Sequence, residues 1–166
     1  MIHSLISKLD SKIELEAASA HCDIPCKIYD PSGAQIAALT IVRMVDLIAE
    51  TEANGDKNSV GYLNSMSRFI TTKEEHGHKC KDEIRVIWGD YFKAPQFEKH
   101  PEIHDVTHNI MMLASKCKQE IDRDNAVALV EAVNQFAEIF WDTKDVKTKR
   151  AVCPYPPSLE VVYPDL

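Results

Sequence analysis

The stretch from His21 to Tyr29 concentrates side chains that could bind a metal. It contains the imidazole of His21, the thiols of Cys22 and Cys26, and the phenol of Tyr29. Pro25 removes a backbone donor and biases the residue before it away from helical geometry, so the two cysteines do not simply share one helix face. The sequence therefore predicts a compact hook at this position.

The residues that precede the hook, Ala18-Ser19-Ala20, are small, as at many protease cleavage sites. Cleavage after Ala20 would free the amine of His21. That amine, the His21 imidazole, the amide nitrogen of Cys22 and the thiolates of Cys22 and Cys26 would form one donor set. Nitrogen and sulfur donors of this kind favour square-planar Ni(II) or Cu(II) over tetrahedral zinc or octahedral magnesium. On spacing alone, the cysteines could equally be ordinary buried residues and His21 a loop residue.

The composition narrows the class of protein. A chain of 166 residues with 45% hydrophobic and 27% charged residues is ordinary for one soluble globular domain. Its net charge of -7 argues against nonspecific binding to nucleic acid or anionic membranes, which needs a basic surface. Five cysteines without a secretory signal suit a reducing compartment. We therefore expect a cytoplasmic protein with neither nucleic acid nor membrane as a partner.

Apolar residues at helical spacing predict four helices that position the hook. The predicted starts are Asp30-Pro31, Asn58 or Ser59, Pro101-Glu102 and the vicinity of Asp124. Asn54-Gly55 ends the first helix. The second is predicted to continue to Trp88 as one long helix whose apolar stripe fades from Thr71 to Glu83, where Gly77 and Cys80 are small residues in phase with it; a break near Gly77 is the alternative. Trp88 to Phe97 is predicted to form a structured aromatic connection.

Each predicted helix has an apolar stripe that we expect to face the core. The stripes are Ile36, Leu39, Val42, Val45 and either Ile48 or Ala49; Val60, Leu63, Ser67, Ile70, Ile84, Ile87 and Trp88; Ile103, Val106, Ile110, Leu113 and Cys117; and Val130, Val133, Ala137 and Phe140. Short connections and the lack of strand-period runs predict an all-α, antiparallel up-down four-helix bundle.

The C-terminal segment differs in kind from the helices. The run from Val152 to Pro157 contains three prolines and cannot be helical, so we expect it to lie extended over a surface or to stay disordered. The predicted organisation is a propeptide at residues 1–20, a domain of hook and bundle at 21–144, and an extended Pro-rich tail at 145–166.

The hook resembles a known metal-binding motif. His21-Cys22-Asp23-Ile24-Pro25-Cys26, followed by Tyr29-Asp30-Pro31, is similar to the nickel hook of the nickel superoxide dismutases. The segment from Trp88 to His104 resembles the aromatic segment before the third helix of that family, and Phe140-Trp141 also fits. The resemblance spans roughly Ala20 to Lys144.

This resemblance implies an enzyme that disproportionates superoxide to oxygen and hydrogen peroxide by Ni(II)/Ni(III) cycling, with one nickel ion per subunit. It implies His21, Cys22 and Cys26 as the residues that bind the metal. Anionic thiolate and amidate donors stabilise the higher-valent metal. The resemblance also implies a homohexamer, together with a maturation protease and a nickel delivery factor as partners.

The resemblance assigns roles to further residues. Tyr29 and Tyr91 are candidates for gating access and for hydrogen-bonding a bound anion or water. Lys93 is the candidate for electrostatic guidance of superoxide against the negative net charge. Asp23 is expected to organise the backbone of the hook, and Pro25 to fix its turn.

Two positions depart from the family pattern. The glutamate and arginine that brace the axial histidine in the family correspond to Ala37 and His76 in this chain. The bracing must therefore differ. Our hypothesis is that His76 replaces it as a hydrogen-bond partner, since a ligating imidazole usually has one.

Other functions compete with the enzyme. One alternative is a non-catalytic nickel or copper binding or trafficking protein that uses the same amino-terminal site, and another is a helical adaptor whose Pro-rich tail binds a partner. The segment around Tyr91 and Lys93 favours the enzyme because a carrier would not need it. Two further clusters could bind metal: His76, His78 and Cys80, and His100, His104 and His108. We favour a polar surface or interhelical position for both.

Overall fold

The computed structural model describes residues 26–166, so the propeptide and the hook residues His21, Cys22, Asp23 and Pro25 lie outside the described part. The described chain is mostly helical. Its α-helices are α1 (Ser32–Asn54), α2 (Val60–Val86), α3 (Ala94–Lys99), α4 (Ile103–Gln119) and α5 (Arg123–Asp142). A π-helical turn, Ile87–Tyr91, follows α2, and two strands, β1 (Thr148–Val152) and β2 (Glu160–Pro164), end the chain.

The helices begin where the sequence signals predict. Asp30 Oδ1 accepts a hydrogen bond of 2.7 Å from the backbone N–H of Ser32 at the start of α1. Ser59 Oγ accepts one of 3.1 Å from the N–H of Tyr62 and so caps α2. The side chain of Asp122 caps α5 in the same way. These caps satisfy backbone donors that the first turn of a helix leaves unpaired.

The four long helices enclose one core. Helix α1 packs against α2 and α5, and α4 packs against the same two helices. The predicted stripe of α5 is confirmed, since Val130, Val133, Ala137 and Phe140 are all buried. On α4, Ile103, Val106, Ile110 and Cys117 are buried as predicted, and Leu113 is half-buried.

The stripe predicted for the first half of α2 is wrong. Val60, Leu63 and Ile70 are 82%, 58% and 40% exposed, and Ser67 is exposed as well. The helix contacts the core through its second half instead, where Lys73, Gly77, Cys80 and Ile84 are buried. Helical spacing identifies an apolar face, but it does not say whether that face meets the same protein chain.

On α1, the predicted stripe is partly wrong. Ile36 is 51% exposed, whereas Leu39, Val42, Val45 and Ile48 are buried. The core row is completed by small residues, Ala34, Ala37 and Ala38, and by Ile41. Because α1 is apolar on several sides, its periodicity did not single out the buried side.

Helix α1 is long and apolar enough to cross a membrane by length and composition. Half of its most apolar window is buried inside the protein. Since its buried side packs against α2 and α5, we interpret it as a central helix of the fold.

The tail forms a β-hairpin that we did not predict. The Pro-rich run, for which we expected an extended or disordered chain, lies mainly in the bends and turn between its two strands. Strand β1 pairs antiparallel with β2. Val161 and Val162 of β2 are buried against the helices. Asn134 Nδ2 donates to the carbonyl of Glu160 at 3.0 Å, and the N–H of Val162 donates to Asn134 Oδ1 at 3.1 Å. Gln35 Nε2 donates to the carbonyl of Val162 at 2.9 Å. The hairpin is therefore fastened to both α1 and α5.

A buried lysine joins α2 to the end of α4. Lys73 is 2% exposed, and its Nζ donates to the carbonyls of Cys117 at 2.5 Å and Lys118 at 2.6 Å. A cation at this position also interacts favourably with the carbonyl end of a helix. A Cβ atom on Gly77 would lie 2.6 Å from Cγ of Lys118, so glycine permits the close approach of α2 to α4.

Candidate metal centre

Of the three predicted metal ligands, Cys26 is the one that the structure describes. Its side chain is exposed, and its thiol is not in a disulfide. The next residue, Lys27, has a φ of 57°, in the left-handed region that non-glycine residues seldom adopt. The chain therefore turns sharply just after Cys26, between the hook and the capped start of α1.

The available donors fit nickel. Between Cys26 and Leu166, no group of three or more His, Cys, Asp or Glu side chains could hold a metal ion. Cys26 contributes one thiol, and the predicted ligands before it, His21 and Cys22, would add an imidazole, a thiolate and backbone nitrogens. Such a mixture of nitrogen and sulfur donors suits square-planar Ni(II).

Tyr29 and Tyr91 lie together beside this turn. Their ring centroids are 5.6 Å apart, and the planes are inclined at 51°. Tyr29 follows Cys26 closely in the chain, whereas Tyr91 ends the π-helical turn after α2. The Tyr91 ring packs on Phe140 of α5 at 4.9 Å and on Phe92 at 5.3 Å. The structure thus brings the two predicted tyrosines into contact and fixes Tyr91 against the core.

The phenol of Tyr91 has a defined hydrogen-bond direction. Its oxygen lies 2.7 Å from Thr143 Oγ1, which donates its own hydrogen to the carbonyl of Phe140 at 2.6 Å. A threonine hydroxyl has one hydrogen, so Tyr91 must be the donor in its bond with Thr143. While this bond is present, Tyr91 can accept a hydrogen bond from another group but cannot donate one.

Two lysines lie close to this region. Lys93 is exposed, and its Nζ donates to the carbonyl of Gly89 at 3.1 Å. Lys144, which the sequence analysis missed, lies with its Nζ 4.7 Å from the ring centroid of Tyr91 and 5.1 Å from that of Phe140. The available signal was its spacing of four from Phe140, which places Lys144 in the turn just after α5.

The two positions that depart from the family pattern are both described. Ala37 is fully buried in the core and carries no polar group that could brace a ligand. His76 is half-buried on α2, with its Nδ1 2.9 Å from the carbonyl of Thr72. A carbonyl only accepts, so Nδ1 carries a hydrogen, and in the neutral ring Nε2 is an acceptor. The bracing role of His76 stays a prediction.

The cluster of His76, His78 and Cys80 does not form a metal site. His78 Nε2 lies 2.7 Å from Lys118 Nζ, which donates to it. Burial, with a smaller contribution from Cys117, raises the pKa of the Cys80 thiol to about 12. Cys80 is therefore a protonated core thiol at neutral pH, whereas a metal ligand must be a thiolate.

The second histidine cluster is also structural. His100 contacts the carboxylates of Glu102 and Asp142, at 3.0 Å from Nδ1 and 2.7 Å from Nε2. His104 accepts a hydrogen bond of 3.2 Å from Trp88 Nε1 and stacks on Phe97 at 4.5 Å. His100 and His104 thus have protein partners, and His108 is exposed, in agreement with the polar-surface or interhelical interpretation.

The described part of the chain is mostly helical, with an exposed cysteine thiol just before its first helix. The chain belongs to the nickel-containing superoxide dismutase family, since a sequence model of that family matches residues 16–144. Family membership makes it an oxidoreductase with a nickel cofactor and superoxide as its substrate.

Curated relatives and solved structures agree with this assignment. The chain is 34% identical over 126 residues to superoxide dismutase [Ni] of Streptomyces seoulensis, a match that covers 76% of this chain and 89% of that protein. The corresponding protein of Streptomyces coelicolor is 33% identical over 126 residues, and this match also covers 76% of this chain and 89% of that protein. A native nickel superoxide dismutase structure matches with a TM-score of 0.65 at 31% identity, and covers 75% of this chain and 99% of that chain.

A structure with nickel ligation corresponding to the oxidised state gives the same TM-score of 0.65 at 32% identity and the same coverage. Because the family match ends at residue 144, the β-hairpin tail lies outside it. The hook and the four long helices are thus the shared part, and residues 145–166 extend beyond it.

Proposed function

We propose that the chain is a precursor, cleaved after Ala20, whose mature form disproportionates superoxide to oxygen and hydrogen peroxide in the cytoplasm. One nickel ion per subunit is held by His21, Cys22 and Cys26. The observation that carries this proposal is the exposed, free thiol of Cys26 at a sharp turn beside the contact of Tyr29 with Tyr91. Bound nickel supplies a one-electron couple, Ni(II)/Ni(III), that the two halves of the disproportionation share.

The protein groups around the metal shape this couple and its access. Thiolates of Cys22 and Cys26 and the deprotonated amide of Cys22 donate negative charge, which stabilises the higher oxidation state. Asp23 organises the hook backbone, and Pro25 fixes its turn. The imidazole of His21 would complete the set of groups that hold the metal.

The tyrosines border the path to the metal. Tyr91 is held by Thr143 and by its packing on Phe140, so it acts as a fixed wall that narrows access. Tyr29, at 5.6 Å from Tyr91 and next to the hook, hydrogen-bonds a bound anion or water. Lys93 provides positive charge near this entrance in a chain whose net charge is -7.

His76 is the proposed hydrogen-bond partner of the His21 imidazole. Its Nδ1 is occupied by the carbonyl of Thr72 at 2.9 Å, which leaves Nε2 for the ligand. The variant His76→Gln should change the Ni(III) electron paramagnetic resonance spectrum and lower activity. An unchanged spectrum with unchanged activity would remove His76 from the site.

The proposed architecture is an antiparallel up-down four-helix bundle with the hook at its N-terminal end. This architecture is supported by the helix contacts around one core, in which α1 and α4 each pack against α2 and α5. We propose that six such subunits associate and that neighbours shield each hook. The exposed apolar residues Val60, Leu63 and Ile70 offer a surface for association. A maturation protease and a nickel delivery factor act before the enzyme is active.

The decisive experiment compares two chains that differ by one residue at the terminus. One begins at His21, and its matched control begins at Ala20, so the amine of His21 is blocked in an amide. Both are loaded with nickel, and metal content and superoxide removal by stopped-flow are measured, with Cys22→Ser alongside. We expect about one nickel per subunit and activity in the chain that begins at His21, and loss of activity in the other two.

Other outcomes separate the competing functions. Stoichiometric nickel without superoxide removal would favour the binding or trafficking protein. A chain with a free His21 terminus that binds no nickel would overturn the proposal.

A further inference from the structure

We propose that Lys144 is the cation that concentrates anionic substrate at the contact of Tyr29 and Tyr91. This inference rests on the proposed function for its substrate, superoxide, but its geometry stands by itself. The Nζ atom of Lys144 lies 4.7 Å from the ring centroid of Tyr91, which in turn lies 5.6 Å from the ring centroid of Tyr29. The cation is therefore next to the pair that borders the metal site.

Ring faces hold the ammonium group in place. Its distances to Tyr91 and Phe140, 4.7 and 5.1 Å, are within the range at which a cation is attracted by an aromatic face. A lysine on a flexible stem usually samples many positions. Here the two rings restrict the charge to one side of Tyr91.

The charge of Lys144 is not compensated by its acidic neighbours in the chain. Asp142 contacts Lys99 Nζ at 2.9 Å and His100 Nε2 at 2.7 Å. Asp145 lies 3.6 Å from the same Lys99 Nζ. Both carboxylates thus face other basic groups, and no carboxylate of the described chain forms an ion pair with Lys144.

Lys93 is placed differently. Its Nζ bonds to the carbonyl of Gly89 at 3.1 Å, within its own segment. Lys144 is therefore the lysine with a direct contact to Tyr91. A single unit charge at the entrance to a site raises the encounter rate of an anion severalfold, and salt screens the effect.

The first test is the salt dependence of the second-order rate constant for superoxide in the nickel-loaded enzyme. Lys144→Met removes the charge and keeps an apolar side chain on the rings, and Lys144→Arg restores the charge. The matched control is Lys116→Met, since Lys116 is an exposed lysine of the last turn of α4. We expect Lys144→Met to be about threefold to tenfold slower at low salt and to approach wild type at high salt.

Lys144→Arg and Lys116→Met should behave like the wild type. A Lys144→Met enzyme whose rate is unchanged at low salt would overturn the inference. So would a loss of rate that high salt does not remove, because that pattern indicates altered structure rather than electrostatic guidance.

The second test needs neither nickel nor activity. In the metal-free protein that begins at His21, nuclear magnetic resonance measures the relaxation of the Tyr29 and Tyr91 ring signals by an anionic nitroxide, carboxy-PROXYL, and by its neutral analogue, carbamoyl-PROXYL. We expect a larger effect of the anionic probe in wild type and in Lys116→Met, and equal effects of both probes in Lys144→Met.

A preference for the anionic probe that survives in Lys144→Met would overturn the inference even if the enzyme is active. Conversely, wild-type protein that removes no superoxide would contradict the proposed function, while the probe preference would still decide the role of Lys144.

Discussion

Tyr91 donates its phenol hydrogen to Thr143 across 2.7 Å, although the two residues are 52 positions apart in the chain. Thr143 Oγ1 in turn donates a hydrogen bond to the carbonyl of Phe140 at 2.6 Å. This short chain of hydrogen bonds ties the π-helical turn to the end of α5. It also means that the ring of Tyr91, which contacts Tyr29, is oriented by a residue outside the tyrosine pair.

Removing the Thr143 hydroxyl should make the ring of Tyr91 less firmly fixed. In Thr143→Val the Tyr91 phenol loses its acceptor, whereas Thr143→Ser keeps it. We expect Thr143→Val to lower the free energy of unfolding by about 1 kcal/mol, measured in urea, and to reduce superoxide removal severalfold. Thr143→Ser should stay near wild type on both measurements. Equal effects of Thr143→Val and Thr143→Ser would show that the hydroxyl of Thr143 is not the cause of the loss of stability and activity.

A group of charges beside Thr143 should make stability depend on pH. Burial lowers the pKa of His100, but hydrogen bonds to Glu102 and Asp142 raise it by more, so the folded value lies above 6.5. The stabilisation is therefore complete below about pH 6.5 and is lost as pH rises through the folded pKa. Hydrogen bonds, chiefly from Lys99 to Asp142 and from His100 to Glu102, lower the pKa values of both carboxyls, so their contribution disappears in acid.

The variant His100→Gln measures this contribution. Its unfolding midpoint in urea should fall furthest below that of wild type just below about pH 6.5, and the difference should shrink as pH rises through the raised folded pKa of His100. His108→Gln, an exposed histidine of α4, is the control and should change little at any pH. A His100→Gln deficit that grows with rising pH would have the wrong sign and contradict the assignment.

Local signals predicted the helix starts because caps depend on residues adjacent in sequence. Asp30 and Ser59 each bond to a backbone N–H two or three positions away. The faces of the helices were harder to predict. Val60 and Leu63 have the spacing of a core stripe and yet are exposed, since the sequence does not reveal what covers an apolar row.

Contacts between distant segments could not be predicted either, because the sequence does not show which segments pack together. The hook could be predicted because its metal-donor residues lie close together in the sequence. Lys144 could not, because its contact is with Tyr91, which lies on another element. The β-hairpin was missed because its strands are five residues each and are separated by prolines that dominate the pattern. The polar side chains of Gln35 and Asn134 are of types usually found at the surface, but the hairpin buries both.

Asn134 should be the main attachment of the tail. It accepts from the N–H of Val162 and donates to the carbonyl of Glu160, and its exposure is 1%. We expect Asn134→Leu to destabilise the protein by about 2 to 4 kcal/mol, because two buried backbone groups lose partners. Hydrogen exchange should show faster exchange in β1 and β2 than in α4. Gln135→Leu, at the exposed neighbouring position, is the control.

Lys73 should be a stability determinant rather than a surface lysine. Its ammonium group supplies donors to the carbonyls of Cys117 and Lys118, where α4 ends, in a nearly dry position. Lys73→Met keeps most of the volume but leaves these carbonyls without their donor, so we expect a loss of about 2 to 3 kcal/mol in the free energy of unfolding. Exposed Lys79, changed to Met, should alter it by no more than about 0.5 kcal/mol. If Lys73→Met were as stable as Lys79→Met, the cost of burying the lysine would already cancel its two hydrogen bonds, and the end of α4 would be held by packing alone.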